Sequence, residues 1–347
     1  MLDDRAAIAA ADPHGARGVL AAFPAQCRAA VAIEPTTLPA VKRPRVIVIA
    51  AMGGSAAAGD LVSACAAERL EIPVIVHRGY GLPSVAWDDT LVIAVSYSGN
   101  TVEVLSAVDA ARARRLPVVV VSAGGALGDL ATRRSLAWAR VPDGLMPRMA
   151  LGYLFFPTAR VLRALDLDVV SSADIDESLA ELDRLAGELG VERESAENEA
   201  KRLAAAIGMR WPAVYGGPVT GAAAYRWKTD IEENAKSFAL AGALPEMNHN
   251  TIEAWRAPLA EQLHLLLLRD AQETPEIRRR FEVLEDIVRG VAGGVTTCHS
   301  RGRGVLARLL SLVYLGQWTS YYLALLRGVD PWTVPQLDEI KRRLADH

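Results

Sequence analysis

The chain has 347 residues, 51% of them hydrophobic, which is enough for two domains of ordinary size with substantial cores. Lys and Arg (38) nearly balance Asp and Glu (41), giving a formal net charge of −3 and a pI near 6.1, so there is no basic footprint for nucleic acid or an anionic membrane. Cys27, Cys65 and Cys298 are widely spaced and form no CxxC or Cys/His set, so neither a disulfide framework nor a metal site is expected.

In chain order, residues 3–33 read as Ala-rich helical segments broken at Pro13 and Pro24, followed by the Pro-marked connector EPTTLPAVKRP. The opening MLDDRAAIAAADPHGAR carries acids where a signal peptide carries bases, and the long apolar runs read as interrupted by charge. A cytoplasmic protein is expected, without membrane insertion. VIVIAAM (46–52), PVIVHRGY (73–80), LVIAVSY (91–97) and PVVVVSAG (117–124) read as strands, each followed by a helical or turn segment. That rhythm predicts an α/β fold with a parallel sheet covered by helices on both faces.

From about Leu151 to Ile207 the pattern becomes helical and densely charged. The βα rhythm then returns, with strands predicted at WPAVYGG (211–217), LHLLLLRD (263–270) and GGVTTCHS (293–300) and helices over 222–241, 275–288 and 305–326. The two halves also begin alike. VIVIAAMGGSAAAGDL and PAVYGGPVTGAAAYRW both place a Gly-Gly turn between a short strand and a small-residue helix start, as a duplicated fold would.

Gly53-Gly54-Ser55 with Gly59-Asp60 has the glycine spacing of a Walker A loop, but Asp60 stands where the phosphate-neutralising Lys belongs, and no GxGxxG is present. ATP hydrolysis and a standard dinucleotide site are therefore disfavoured. What remains is a strand-loop-helix able to hold a modestly charged anion at the helix N-terminus, or a turn needing glycine only for its backbone. Ser96-Tyr97-Ser98-Gly99-Asn100-Thr101 opens the helix after the third strand. Capping accounts for one of its polar side chains but not for all of them, whereas hydroxyls can donate to phosphate oxygens without adding charge.

In WKTDIEENAKSFALAG, Lys228, Glu232 and Lys236 fall at successive i, i+4 positions of a predicted ion-pair ladder, whereas Glu233 shares its face with Arg226, Thr229 and Asp230. His249, flanked by Asn248 and Asn250, suits either a hydrogen-bonded turn or proton transfer near neutral pH. His14, His77, His264, His299 and His347 suggest no role. Lys341 reads as an ordinary amphipathic-helix lysine. Arg148, at a helix start, opposes the macrodipole, with a surface position as its plain alternative.

Taken together, Gly53-Gly54-Ser55, SYSGNT (96–101), ENAK (233–236) and NHN (248–250) resemble the bifunctional phosphoglucose/phosphomannose isomerase family of the sugar isomerase (SIS) superfamily, over about residues 36 to 345. The resemblance implies an N-terminal helical segment (1–35), a first SIS domain (36–153), a helical connector (154–206) and a second SIS domain (207–347), each domain a three-layer α/β/α unit. It implies a phosphate cradle from Gly53, Gly54, Ser55, Ser96, Ser98 and Thr101, and metal-independent aldose-ketose isomerisation without a cofactor. Glu233 is implied as the base, His249 and Lys341 serve ring opening and proton handling, and Arg148 lies near the developing negative charge. The expected ligands are glucose 6-phosphate, mannose 6-phosphate and fructose 6-phosphate. A homodimer is implied, in which related enzymes bring the His from the neighbouring subunit. A non-catalytic phosphosugar-binding regulator is the alternative. One departure is visible: Ala51 and Ala56-Ala57-Ala58 occupy a region where the family usually writes further glycine.

Overall fold

Apolar runs with no alternating polar residues are satisfied by strands covered on both faces. The computed structural model, which describes residues 1–41, 43–256 and 258–345, places them so; His347 lies outside the described residues. The chain forms two compact units. The first-sheet unit contains residues 22–182 and 302–309, and the second-sheet unit contains residues 1–21, 183–301 and 310 onward.

Three N-terminal helices come first, α1 (Arg5–Ala11), α2 (Ala16–Ala21) and α3 (Phe23–Val31). The chain breaks at Pro13, but Pro24 sits in the first turn of α3, where its missing N–H costs nothing. The first-sheet unit then runs β1 (Val46–Ala51), α4 (Gly53–Ala66), β2 (Val74–His77), β3 (Thr90–Val95), α5 (Val102–Ala113), β4 (Val118–Ser122), α6 (Gly125–Arg134), β5 (Ala137–Arg140) and α7 (Leu151–Ala164). Its sheet has the order β2-β1-β3-β4-β5, all parallel, and β1, β3 and β4 are buried at every position. After β2 the chain crosses to the other side of β1. That reversal opens a crevice between the carboxyl ends of β1 and β3, where ligands of open α/β sheets collect.

α8 (Ser172–Leu189) leads onward to α9 (Glu199–Ile207), β6 (Trp211–Gly216), α10 (Gly221–Ala235), β7 (Leu240–Ala243), β8 (Leu263–Arg269), α11 (Pro275–Val288), β9 (Gly294–His299), α12 (Val305–Leu326) and α13 (Pro335–Ala345). The second sheet is also parallel, in the order β7-β6-β8-β9, which repeats the first four positions of the first sheet. The likeness of the two Gly-Gly turns thus extends to strand order.

α12 is long and apolar enough to cross a membrane by length and composition, contrary to the expectation of charge-interrupted runs, yet 94% of that stretch is buried inside the protein. From Leu310 on it belongs to the second-sheet unit, where Leu312 O accepts from Trp227 Nε1 (2.7 Å) and Tyr314 Oη donates to Leu20 O (2.9 Å). Asp12, 2% exposed, accepts from Ala16 N (2.7 Å), Arg17 N (3.0 Å) and Tyr321 Oη (3.1 Å), tying the α1–α2 connection to α12. All three cysteines are buried free thiols.

Candidate functional site

In the first-sheet unit, Ala51 and Val95 are register partners at the carboxyl ends of β1 and β3, so the two motif turns leave the sheet side by side. Extended Met52 ends the strand, and exposed Gly53 opens α4. Gly54 is a close approach: a Cβ there would lie 2.9 Å from both Cα and N of Arg148. Buried Ser55 accepts the Tyr97 N–H on its hydroxyl (3.2 Å).

The second turn is built by its own hydroxyls. Ser96 Oγ and Thr101 Oγ1 are 2.8 Å apart, Ser96 Oγ accepts from Gly99 N (3.2 Å), and Ser98 Oγ accepts from Asn100 N (3.3 Å). Gly99 adopts φ +70°, and a Cβ there would meet Gly124 O, so the turn presses directly on the one after β4. Asn100 Oδ1 accepts from Ala126 N (2.9 Å), fastening the same two turns. A hydroxyl carries one proton and two lone pairs. Ser55 and Ser98 act as acceptors in these bonds and one proton of the Ser96–Thr101 pair is left over, so protons remain to donate to an anion. They sit at the N-termini of α4 and α5, where the helix dipole favours negative charge.

Two charges flank this region. Asp60, which disqualified the Walker reading, is held by Arg78 (Nη2 to Oδ2 2.5 Å), although burial raises its pKa above the ordinary carboxylate value. Arg148 sits in a 3-10 turn (Pro147–Met149) and is 2% exposed, so the surface position considered from sequence is replaced by a buried guanidinium. The unit brings the Arg148 backbone to the Gly53-Gly54-Ser55 turn and that turn to SYSGNT.

In the second-sheet unit, the helix predicted over 222–241 stops at Ala235 because Lys236 turns left-handed (φ +50°). Lys228 and Glu232 form the expected pair (2.7 Å). Lys236 is not the next rung of that ladder, since its ammonium collects the carbonyls of Glu233 (2.8 Å), Asn234 (3.2 Å) and Asp330 (2.5 Å) at the helix C-terminus. Glu233 is half-buried. Beside it Asn234 donates to Ser320 Oγ (2.9 Å), and on its own face Arg226 and Asp230 form a buried pair (Nη2 to Oδ1 2.7 Å).

His249 is exposed at the end of a 3-10 turn (Glu246–His249), braced by Asn250 Nδ2 to Glu246 Oε1 (2.7 Å). Lys341 is exposed on α13. A helix joining parallel neighbours β6 and β7 must run back along the sheet, so Glu233, at the end of α10, lies where the strands begin. His249 follows the end of β7 and belongs to the opposite edge. One chain's second-sheet unit therefore does not bring Glu233 and His249 together.

The duplicated turns are chemically unequal. In the second-sheet unit Thr220 Oγ1 accepts from Gly217 N (2.8 Å) and donates to Leu268 O (2.6 Å), which uses its proton internally. After β8 the turn corresponding to SYSGNT carries Asp270 and Glu273, the latter ion-paired with Arg269 and Arg278, in place of the hydroxyls of the first-sheet turn. Among the described residues, the hydroxyl-lined pair of turns belongs to the first-sheet unit. Sequence reasoning passed over Tyr97 and Gln26. Gln26 donates to Met149 O and accepts from Gly152 N (both 2.9 Å) across more than a hundred residues, and no local pattern announces such a bond.

Two parallel sheets of one strand order, with hydroxyl-rich turns at a crossover, define a two-domain α/β protein of the sugar isomerase (SIS) type. The family model described as bacterial phospho-glucose isomerase C-terminal SIS domain matches residues 196–344. A bifunctional phosphoglucose/phosphomannose isomerase from Caldicellulosiruptor bescii is 37% identical over 86% of this chain and 89% of its own length. One from Aquifex aeolicus is 33% identical over 87% and 91%. The crystal structure of a glucose-6-phosphate isomerase like protein from Thermus thermophilus superposes with a TM-score of 0.63 at 21% identity, covering 98% of each chain. The chain belongs to the bifunctional phosphoglucose/phosphomannose isomerase family.

Proposed function

We propose that the protein interconverts glucose 6-phosphate and mannose 6-phosphate with fructose 6-phosphate through an enediolate. The observation that carries this reading is the uncharged hydroxyl cradle of Ser55, Ser96, Ser98 and Thr101 at the crossover of the first sheet, in a chain of this family. The phosphate is a handle: its binding energy positions the reacting end of the sugar, and hydroxyls with two helix N-termini suffice to hold it.

Glu233 takes the proton from C2 while the C1 carbonyl oxygen gains charge and is protonated. Returning a proton to C1 as O2 loses its own yields the ketose. No electron leaves the substrate, so the step as written needs no cofactor. Arg148 supplies positive charge for the enediolate oxygen, and His249 with Lys341 opens the ring and moves protons. The separation of Glu233 and His249 on opposite edges of one sheet supports a homodimer, with the partner's His249 completing the site.

The test follows fructose 6-phosphate formation from both aldose phosphates in the presence of chelator, for the wild type and Glu233→Gln. Turnover is expected to survive chelation and to fall by about 100- to 10,000-fold in the variant. Wild-type rates in Glu233→Gln would overturn the assignment of the base.

A further inference from the structure

Tyr97 stands in the middle of the hydroxyl-rich turn yet sends its own hydroxyl elsewhere. The residue is 4% exposed, and burial raises its phenol pKa above the ordinary value, so it is neutral at physiological pH. Its hydroxyl donates to Pro142 O (3.0 Å) and accepts from Leu145 N (3.0 Å). Its backbone N–H donates to Ser55 Oγ (3.2 Å), and its carbonyl accepts from Ala123 N (3.0 Å). One residue thus bonds the Gly53-Gly54-Ser55 turn, the turn after β4 and the segment 141–150, which leads to Arg148.

That segment has little structure of its own. Between β5 and α7 it holds a single 3-10 turn, and Gly144 sits at φ +88°, so its course is set by bonds to its neighbours. Its far end is clamped by Gln26 on Met149 O and Gly152 N. Its near end is clamped by the Tyr97 hydroxyl. Arg148 lies between the two clamps, with its backbone pressed on Gly54.

We propose that Tyr97 is a positioning residue for isomerisation: its hydroxyl fixes the Arg148 segment relative to the hydroxyl cradle, so that phosphate anchor and enediolate charge keep one spacing. The inference rests on the role given to Arg148 in the proposed reaction. Tyr97→Phe removes both hydroxyl bonds but keeps the ring and the backbone bonds to Ser55 and Ala123. It therefore releases the near clamp on the Arg148 segment and leaves the Gln26 clamp and the Gly54 contact in place.

The experiment compares wild type, Tyr97→Phe, Arg148→Ala and the double variant for kcat, KM and competitive inhibition by inorganic phosphate, with thermal midpoints confirming folded protein. Tyr97→Phe is expected to lower kcat about tenfold while the phosphate inhibition constant stays within about twofold. Because Tyr97 acts through Arg148, the double variant is expected to be no slower than Arg148→Ala. Wild-type kcat in Tyr97→Phe overturns the proposal. So does the same fold-loss with and without Arg148, or phosphate binding that weakens in step with kcat. If Arg148→Ala itself keeps wild-type kcat, the role of Arg148 falls and this proposal with it, while Glu233→Gln still tests the reaction independently.

Discussion

Gly54 shows how much of the site depends on what a side chain lacks. A methyl group there would stand 2.9 Å from the Arg148 backbone, a distance that ordinary packing does not tolerate, and the atoms it meets are main chain. Gly54→Ala is therefore expected to push the Arg148 turn away from α4. The stability cost should be about 1–3 kcal/mol, and kcat/KM should fall on the order of 100-fold. Thermal unfolding and steady-state kinetics on one preparation check it, and a variant with wild-type kcat/KM would show that the Arg148 turn has no fixed place in the chemistry. The sequence displays Gly53-Gly54-Ser55 as a glycine-rich turn and SYSGNT as a surplus of hydroxyls, because turn chemistry is local. It does not display that Gly54 faces Arg148, ninety-four positions away, or that Gln26 grips the same segment. Lys236 is misread for a related reason: periodicity extends the ladder through it, whereas its left-handed backbone and three carbonyl partners end the helix there.

Among the elements, strongly patterned ones were legible and weakly patterned ones were not. α11 and α12 occupy the predicted 275–288 and 305–326, and β1, β6, β8 and β9 come within a residue of their predicted ends, since long apolar periods leave little choice. β5 (AWAR) and β7 (LAGA) escape notice because Ala and Gly have poor strand propensity, and pairing with β4 and β6 overrides it. The second sheet also contains a pH-sensitive element. His264, 3% exposed near the start of β8, contacts Thr296 Oγ1 on β9 through Nε2 (2.8 Å). Burial first, and then the charge of Arg210, lowers its pKa from 6.5 to about 4. Above pH 6.5 the ring is neutral in both folded and unfolded chains, and its contribution is complete. As pH falls from 6.5 toward 4 the unfolded chain gains a proton that the folded chain refuses, so stability declines by up to about 1.4 kcal/mol per pH unit. Denaturant unfolding between pH 7 and pH 4.5 is expected to show a shallower decline in His264→Gln than in wild type. Equal slopes would mean that His264 titrates normally in the folded protein.

The two sheets share one strand order over four positions, but the turns at their crossovers differ in chemistry. The first sheet carries hydroxyls at its crossover, and the second carries Asp270 and Glu273 in the corresponding turn while its own Thr220 closes the glycine turn. The hydroxyl-lined turns lie in the first-sheet unit, and Glu233 and His249, the groups proposed for proton transfer, lie in the second-sheet unit. Within the second sheet Glu233 and His249 occupy opposite edges, which supports the proposed sharing of one site by two chains. This has a consequence that kinetics on mixed subunits can read. Glu233→Gln and His249→Ala should each be nearly inactive alone. When the two are unfolded together and refolded as a mixture, half of the dimers are mixed, and each mixed dimer pairs one intact Glu233 with one intact His249. Activity is expected to return to about a quarter of the wild-type level, because one site of each mixed dimer is whole. If both groups act within one chain, no combination restores a complete site and the mixture stays as inactive as its parts.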